Sequence, residues 1–128
     1  MSGAMIEHLN FTATDPVRTA ERLSRVFGWH IRWQGPSLGG GKSVHVGTDE
    51  RYLAIYSPPD AVVDRPVSYA TKGGLNHIGV LVDDLDEAEA RVLEEGYKTH
   101  SHQTYDPGSR FYFHNEDGIE FEVVSYQP

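Results

Sequence analysis

Three side chains able to ligate a metal, His8, His77 and Glu122, stand at matching points of a chain that repeats itself. His8 and His77 are 69 residues apart, as are Asp15 and Asp84, while Gly28 to Gly96 and Ala54 to Glu122 are separated by 68. One residue lost within the second helix accounts for the change of offset. Two neutral imidazoles and one carboxylate form the facial set that suits Fe(II), and equally Mn(II), Zn(II), Ni(II) or Co(II), with positions left open for water or substrate. A single histidine on a strand is more often a hydrogen-bonded or surface residue, and the chain has seven. Placement of two at equivalent points of a repeat, with a carboxylate at a third, is what points to a metal site.

The elements that must position these residues follow from hydrophobic periodicity. Ile6 to Thr14 alternates, with Leu9, Phe11 and Ala13 on one side and His8, Asn10 and Thr12 on the other, the pattern of a half-buried strand. Asp15-Pro16 caps and starts a helix of about three turns, in which Ala20, Leu23 and Phe27 recur at helical spacing until Gly28 stops it. Segments 29–34, 43–47 and 52–57 read as short strands, so the first half is βαβββ. After a linker over 58–74 the same order returns. A strand covers 75–82, Asp84 caps a helix through Glu95, and Gly96-Tyr97 restarts extended structure. Strands at 111–114 and 119–126 follow, joined by a turn at Asn115-Glu116-Asp117-Gly118. Because side chains alternate along a strand, His8, His77 and Glu122 all face away from the helices, opposite Leu9, Ile78 and Phe121.

The segments Ile6-Glu7-His8-Leu9 and Leu75-Asn76-His77-Ile78-Gly79-Val80, with the ending Asp117-Gly118-Ile119-Glu120-Phe121-Glu122-Val123, resemble the glyoxalase/bleomycin-resistance/extradiol-dioxygenase family, the vicinal oxygen chelate superfamily. The resemblance covers nearly the whole chain. It implies an α+β domain, residues 1–128, whose two βαβββ modules (about 5–57 and 75–126) form a cup-shaped mixed sheet with the helices outside. It also implies metal ligands on the first and last strands of each module, at His8, Ala54, His77 and Glu122. Alanine cannot ligate, so a four-ligand glyoxalase I type site is less expected than the three-ligand kind. The resemblance further implies a homodimer.

The same alternation fills out the functional face. With Val44, Val46, Leu53 and Ile55 in the core, His45, Tyr52 and Tyr56 point to the ligand, as does Asn10. With Phe111 and Phe113 in the core, Arg110, Tyr112 and His114 do likewise. Arg110 can hold a substrate carboxylate, Tyr52, Tyr56 and Asn10 line the substrate, and His45, Tyr112 or His114 can act as general acid or base. For each of these the competing reading is a hydrogen-bonded barrel residue. Trp29, Ile31 and Trp33 read as sheet core or a dimer contact, Gly39-Gly40-Gly41-Lys42 as a loop without Walker spacing, and His100-Ser101-His102 as a strand edge that could hold a stray metal.

Composition sets the outer limits. No cysteine is present, which removes disulfides, thiolate metal sites and cysteine nucleophiles. A net charge of −8 opposes general affinity for nucleic acid or an anionic membrane. With no basic-then-apolar leader pattern and no long apolar run, a cytoplasmic location is expected. Two functions fit. One is a divalent-metal-dependent enzyme, a lyase/isomerase or ring-cleaving dioxygenase, acting on a small oxygen-bearing substrate that chelates the ion. The other is a metal-free, bleomycin-resistance-like protein that sequesters a small molecule.

Overall fold

The computed structural model describes residues 3–37, 39–64, 68–105 and 108–126. Two compact units divide the chain, Met1–Val63 and Asp64–Pro128. The division falls inside the linker read from the sequence, of which residues 65–67 lie outside the described residues.

In the first unit the elements are β1 (His8–Thr12), α1 (Pro16–Phe27), β2 (His30–Pro36), β3 (Lys42–Gly47) and β4 (Tyr52–Ser57). They form a four-stranded mixed sheet of order β1-β4-β3-β2, in which β1 and β4 run parallel and the other pairs antiparallel. Asp15 accepts from Arg18 N at 3.2 Å, and Pro16 occupies the first helical turn. Gly28, at φ 73°, ends the helix by donating its N–H to Ser24 O, a left-handed position that a side chain would strain. Pro16, Thr19, Ala20, Leu23 and Val26 make the buried stripe of α1, at the three- and four-residue spacing of one helical face. Phe27, expected in that stripe, instead packs on Trp29 with ring centroids 4.8 Å apart. The stripe covers Val44, Val46, Leu53 and Ile55, all buried.

The second unit repeats the order. A 3-10 turn at Ser68–Ala70 precedes β5 (Ile78–Leu81), α2 (Leu85–Glu94), β6 (Thr99–Tyr105), β7 (Gly108–His114) and β8 (Glu120–Ser125). The sheet order is β5-β8-β7-β6, again with the first pair parallel. Asp84 accepts from Glu87 N at 3.0 Å and so starts α2 as Asp15 starts α1. β5 is shorter than the strand read over 75–82, because its pairing with β8 begins only at Ile78 opposite Phe121; His77 sits just before it. The β7–β8 turn is locked by Asn115, whose buried side-chain oxygen accepts from Asp117 N and Ile119 N. Ala88 and Val92 of α2 cover Phe111, Phe113, Phe121 and Val123, and each fully buried phenylalanine contributes about 1.5–3 kcal/mol.

One β-bulge interrupts each sheet, between Ile31 and Trp33 in β2 and between His100 and Gln103 in β6. A bulge adds a residue to one strand and so shifts the facing of those after it. Strict alternation, as applied to the sequence, therefore fails at Arg32-Trp33 and at Ser101-His102. Trp33, read as sheet core or a dimer contact, is not in the core: it is 47% exposed.

Candidate functional site

Each half bears a set of polar and aromatic side chains on the sheet face away from its helix. In the first half, pairing of β1 with β4 puts His8 opposite Tyr52 and Asn10 opposite Ala54. His8 and Tyr52 stack at 5.0 Å, Tyr52 and His45 at 4.6 Å, and His45 meets Trp33 at 5.1 Å. The bulge delivers Arg32 to the same row, its guanidinium carbon 4.3 Å from the centre of the Tyr52 ring, within cation–π range. Glu7 closes the near end: its Oε1 lies 2.9 Å from His8 Nδ1 and accepts from the Tyr52 hydroxyl at 3.4 Å.

The charges in this row follow from these contacts. The His8 bond, outweighing the opposing effect of burial, holds the Glu7 carboxyl below the usual carboxylate range. Burial first, then the nearby His8 and Arg32, pushes His45 down, so its ring is neutral and able to accept a proton near pH 7. Burial, with Glu7 adding to it, raises the Tyr52 phenol. Tyr56 lies opposite Thr12, two register steps further along β4 from Asn10's partner Ala54, and is half-buried beside Gly41. Asn10 is exposed.

In the second half the corresponding positions carry acids. Glu120 and Glu122 stand where Tyr52 and Ala54 stand in the first, and both are largely covered, with side chains 13% and 14% exposed. His77 Nε2 lies 3.0 Å from Glu122 Oε1, and His77 Nδ1 lies 4.0 Å from Glu120 Oε1. Arg110 donates from Nη1 to Glu122 Oε2 at 2.8 Å. This guanidinium, expected to hold a substrate carboxylate, is paired with Glu122, whose other oxygen faces His77. Tyr112 meets His77 edge-on at 5.9 Å and lies opposite Glu122 in the ladder. His114 Nε2 is 3.3 Å from Glu120 Oε2, and His114 stacks on His100. Tyr69, brought in by the 3-10 turn, donates to Glu120 Oε1, and that bond, ahead of burial, pushes its phenol up to about 12.

The second half thus brings together His77, Glu122, Arg110, Tyr112 and His114, all anticipated from alternation, and adds Glu120, His100 and Tyr69, which were not. Glu120 was legible, since the rule that turns Glu122 away from α2 turns its neighbour two residues earlier the same way. Trp33 depends on the bulge in β2, His100 on its register opposite Tyr112, and Tyr69 on a linker turn without periodic signal.

A carboxylate on the far nitrogen of an imidazole is the usual support of a metal-ligating histidine, because it fixes the tautomer and makes the other nitrogen a better ligand. His8 has this support from Glu7, and His77 has Glu120 on the same side. Two ligands at about 2.1 Å from one ion, in adjacent octahedral positions, are about 3.0 Å apart. His77 Nε2 and Glu122 Oε1 show this spacing. The donor set therefore fits a divalent ion at His77 and Glu122, whereas Ala54, 4% exposed, offers none at the matching place in the first half.

No curated relative matches the chain. Among solved structures it resembles a glyoxylase/bleomycin resistance protein/dioxygenase domain from Frankia sp. (19% identity, TM-score 0.82, covering 97% of this chain and 98% of that one). It also resembles a glyoxalase family protein from Enterococcus faecalis (20% identity, TM-score 0.78, 97% and 99% covered). A genomically encoded fosfomycin resistance protein from Listeria monocytogenes is similar as well (19% identity, TM-score 0.68, 96% and 92% covered). At these identities the likeness is one of fold. The model of the Glyoxalase/Bleomycin resistance protein/Dioxygenase superfamily matches residues 5–123, and with the two βαβββ units it establishes that this chain belongs to that family.

Proposed function

We propose that the chain is a divalent-metal-dependent enzyme acting on a small oxygen-bearing substrate that chelates the ion, of the lyase/isomerase or ring-cleaving dioxygenase type. The observation that carries this reading is the His77–Glu122 pair, spaced as adjacent ligands, with Glu120 behind the imidazole and Arg110 behind the carboxylate. His8 is the third ligand of the proposed set, its Nδ1 engaged by Glu7. A bound divalent ion would stabilise negative charge on a substrate oxygen and ease loss of its proton. Arg110 keeps Glu122 in one rotamer. His45, held neutral, and Tyr112 are the candidates to move a proton; His114 is a weaker one because Glu120 engages it. Tyr52, Tyr56 and Asn10 are proposed to contact substrate. The working form is proposed to be a cytoplasmic homodimer, to which exposed Leu81 and Leu93 are suited. No helix among the described residues is long and apolar enough to cross a membrane.

The experiment is equilibrium dialysis of tag-free protein against Zn(II) or Mn(II). His77→Ala, Glu122→Gln and His8→Ala should each retain one equivalent fewer than the parent chain. Unchanged stoichiometry in all three variants overturns the reading. Oxygen uptake with catechols, against turnover of a hemithioacetal, then separates the two reaction types.

A second reading, a metal-free sequestering protein, is favoured by one specific feature: the stacked rings of His8, Tyr52 and His45 with Trp33 tilted against His45, a row suited to a planar aromatic ligand. Ligand binding that is insensitive to chelator and lost in Trp33→Ala would select it.

A further inference from the structure

We propose that the second half holds a further divalent cation on His100, His114 and Glu120, none of which belongs to the ligand set proposed above. One donor atom from each of the three lies within 4.8 Å of the others. Ligands about 2.1 Å from one ion are about 3.0–3.4 Å apart when adjacent and about 4.2 Å when opposite, so a modest closing of side chains suffices. One separation already matches, His114 Nε2 to Glu120 Oε2 at 3.3 Å, and His100 Nε2 reaches the same ring, 3.2 Å from its other nitrogen.

Three observations single this cluster out. First, a neutral imidazole has one donor and one acceptor nitrogen. His100 Nδ1 has the Ser101 hydroxyl at 2.9 Å and His114 Nε2 has Glu120. If His100 donates to that hydroxyl, its Nε2 turns a lone pair toward the His114 ring, and a neutral His114 keeps one acceptor nitrogen of its own for a cation shared with Glu120. Second, the bulge in β6 separates two histidines that a regular strand would keep on one face. His102 goes to Glu89 at 2.5 Å, and His100 goes to His114. The separation depends on Ser101 at φ 57°, the only non-glycine residue in the left-handed region among the described residues. Backbone strain of this kind gathers where a side chain must be aimed. Third, among the described residues the partners of Glu120, namely Tyr69, His77 and His114, carry no permanent charge, although its carboxylate is only 13% exposed. Its Oε2 is the oxygen turned to the cluster, while Oε1 is occupied by Tyr69. His114, 49% exposed, leaves the cluster open to an ion from solvent.

The test uses the full chain without a tag, dialysed against low micromolar Zn(II), with Co(II) absorption as the second readout. The parent chain should bind two equivalents, His100→Ala and His114→Ala one each, and the His77→Ala/His114→Ala double variant none. Full retention of both equivalents in His100→Ala and His114→Ala, with unchanged Co(II) bands, overturns the inference and leaves the cluster a hydrogen-bonded chain. A parent that binds one equivalent, lost in His77→Ala and kept in His114→Ala, overturns it while sparing the His77–Glu122 site. One equivalent kept in His77→Ala and lost in His114→Ala upholds it and removes the enzymatic reading instead. Both histidines are partly exposed, and circular dichroism of each variant identifies any that misfolds; His100→Gln then replaces it.

Discussion

The two halves share one backbone plan yet line their outer faces with opposite chemistry. Behind the first sheet the core is Val44, Val46 and Leu53 under the longer helix; behind the second the same places hold Phe111, Phe113 and Phe121 under the shorter one. Leu23 of α1 corresponds to the smaller Val92 of α2, and the larger rings on the second sheet make up the volume, so both cores close. On the other face, His8 keeps company with Tyr52 and Ala54, while His77 keeps company with Glu120 and Glu122. The first half becomes a stacked aromatic row and the second an imidazole–carboxylate network. A fold that is constrained on one face only leaves the other free to diverge, and a duplicated module can acquire two different surfaces without changing its topology.

The largest break in this comparison is expected in the cores. Phe113→Ala should destabilise by about 3–5 kcal/mol, against about 2 kcal/mol for Val46→Ala at the matching place; equal denaturant midpoints for the two variants would show that the cores are not built unequally. Next, Ala54→Glu copies the acid of the second half into the first. Ser43 stands where Arg110 stands, so the new carboxylate lacks the cross-strand guanidinium that Glu122 has and should cost about 3 kcal/mol. Adding Ser43→Arg should recover a good part of that loss; no recovery would mean that Arg110 is not what makes Glu122 tolerable. A smaller effect is expected at the bulge, where Ser101→Gly should raise stability by about 1 kcal/mol by relieving the left-handed residue, read as a higher melting temperature.

The smallest effect is a pH dependence outside both faces. Burial pushes the Glu89 carboxyl up, but hydrogen bonds from Thr99 and His102 outweigh it and hold it below the usual range. A carboxyl lowered by folding contributes stability above its unfolded pKa and loses it as pH falls through the folded value. Glu89→Gln should therefore flatten the acid limb of stability by under about 1 kcal/mol, and identical acid limbs in urea titrations would count against it.

Much of this was legible in the residues. Asp15-Pro16 and Asp84 marked both helix starts, Gly28 marked the end of α1, and alternation in Val44-His45-Val46 and Phe111-Tyr112-Phe113 assigned the two faces. Alternation works there because burial of one face makes a one-residue slip expose every apolar side chain at once. Glu122 was visible for the same reason, falling between the core residues Phe121 and Val123, whereas His8 opens β1 and His77 sits just before β5.

What only the tertiary structure decided lies where that regularity stops. Bulges at Arg32 and Ser101 turn Trp33 toward His45 and His102 toward Glu89, and an inserted residue in a strand leaves no periodic trace in the chain. The pairing of Arg110 with Glu122 is likewise a matter of which partner is near in space, across a ladder twelve residues away along the chain. Local periodicity determined which elements form and which face each residue takes, because those depend on neighbours in sequence. Which acid meets which imidazole or guanidinium depends on strand register and on the bulges, and these were set only when the sheets closed.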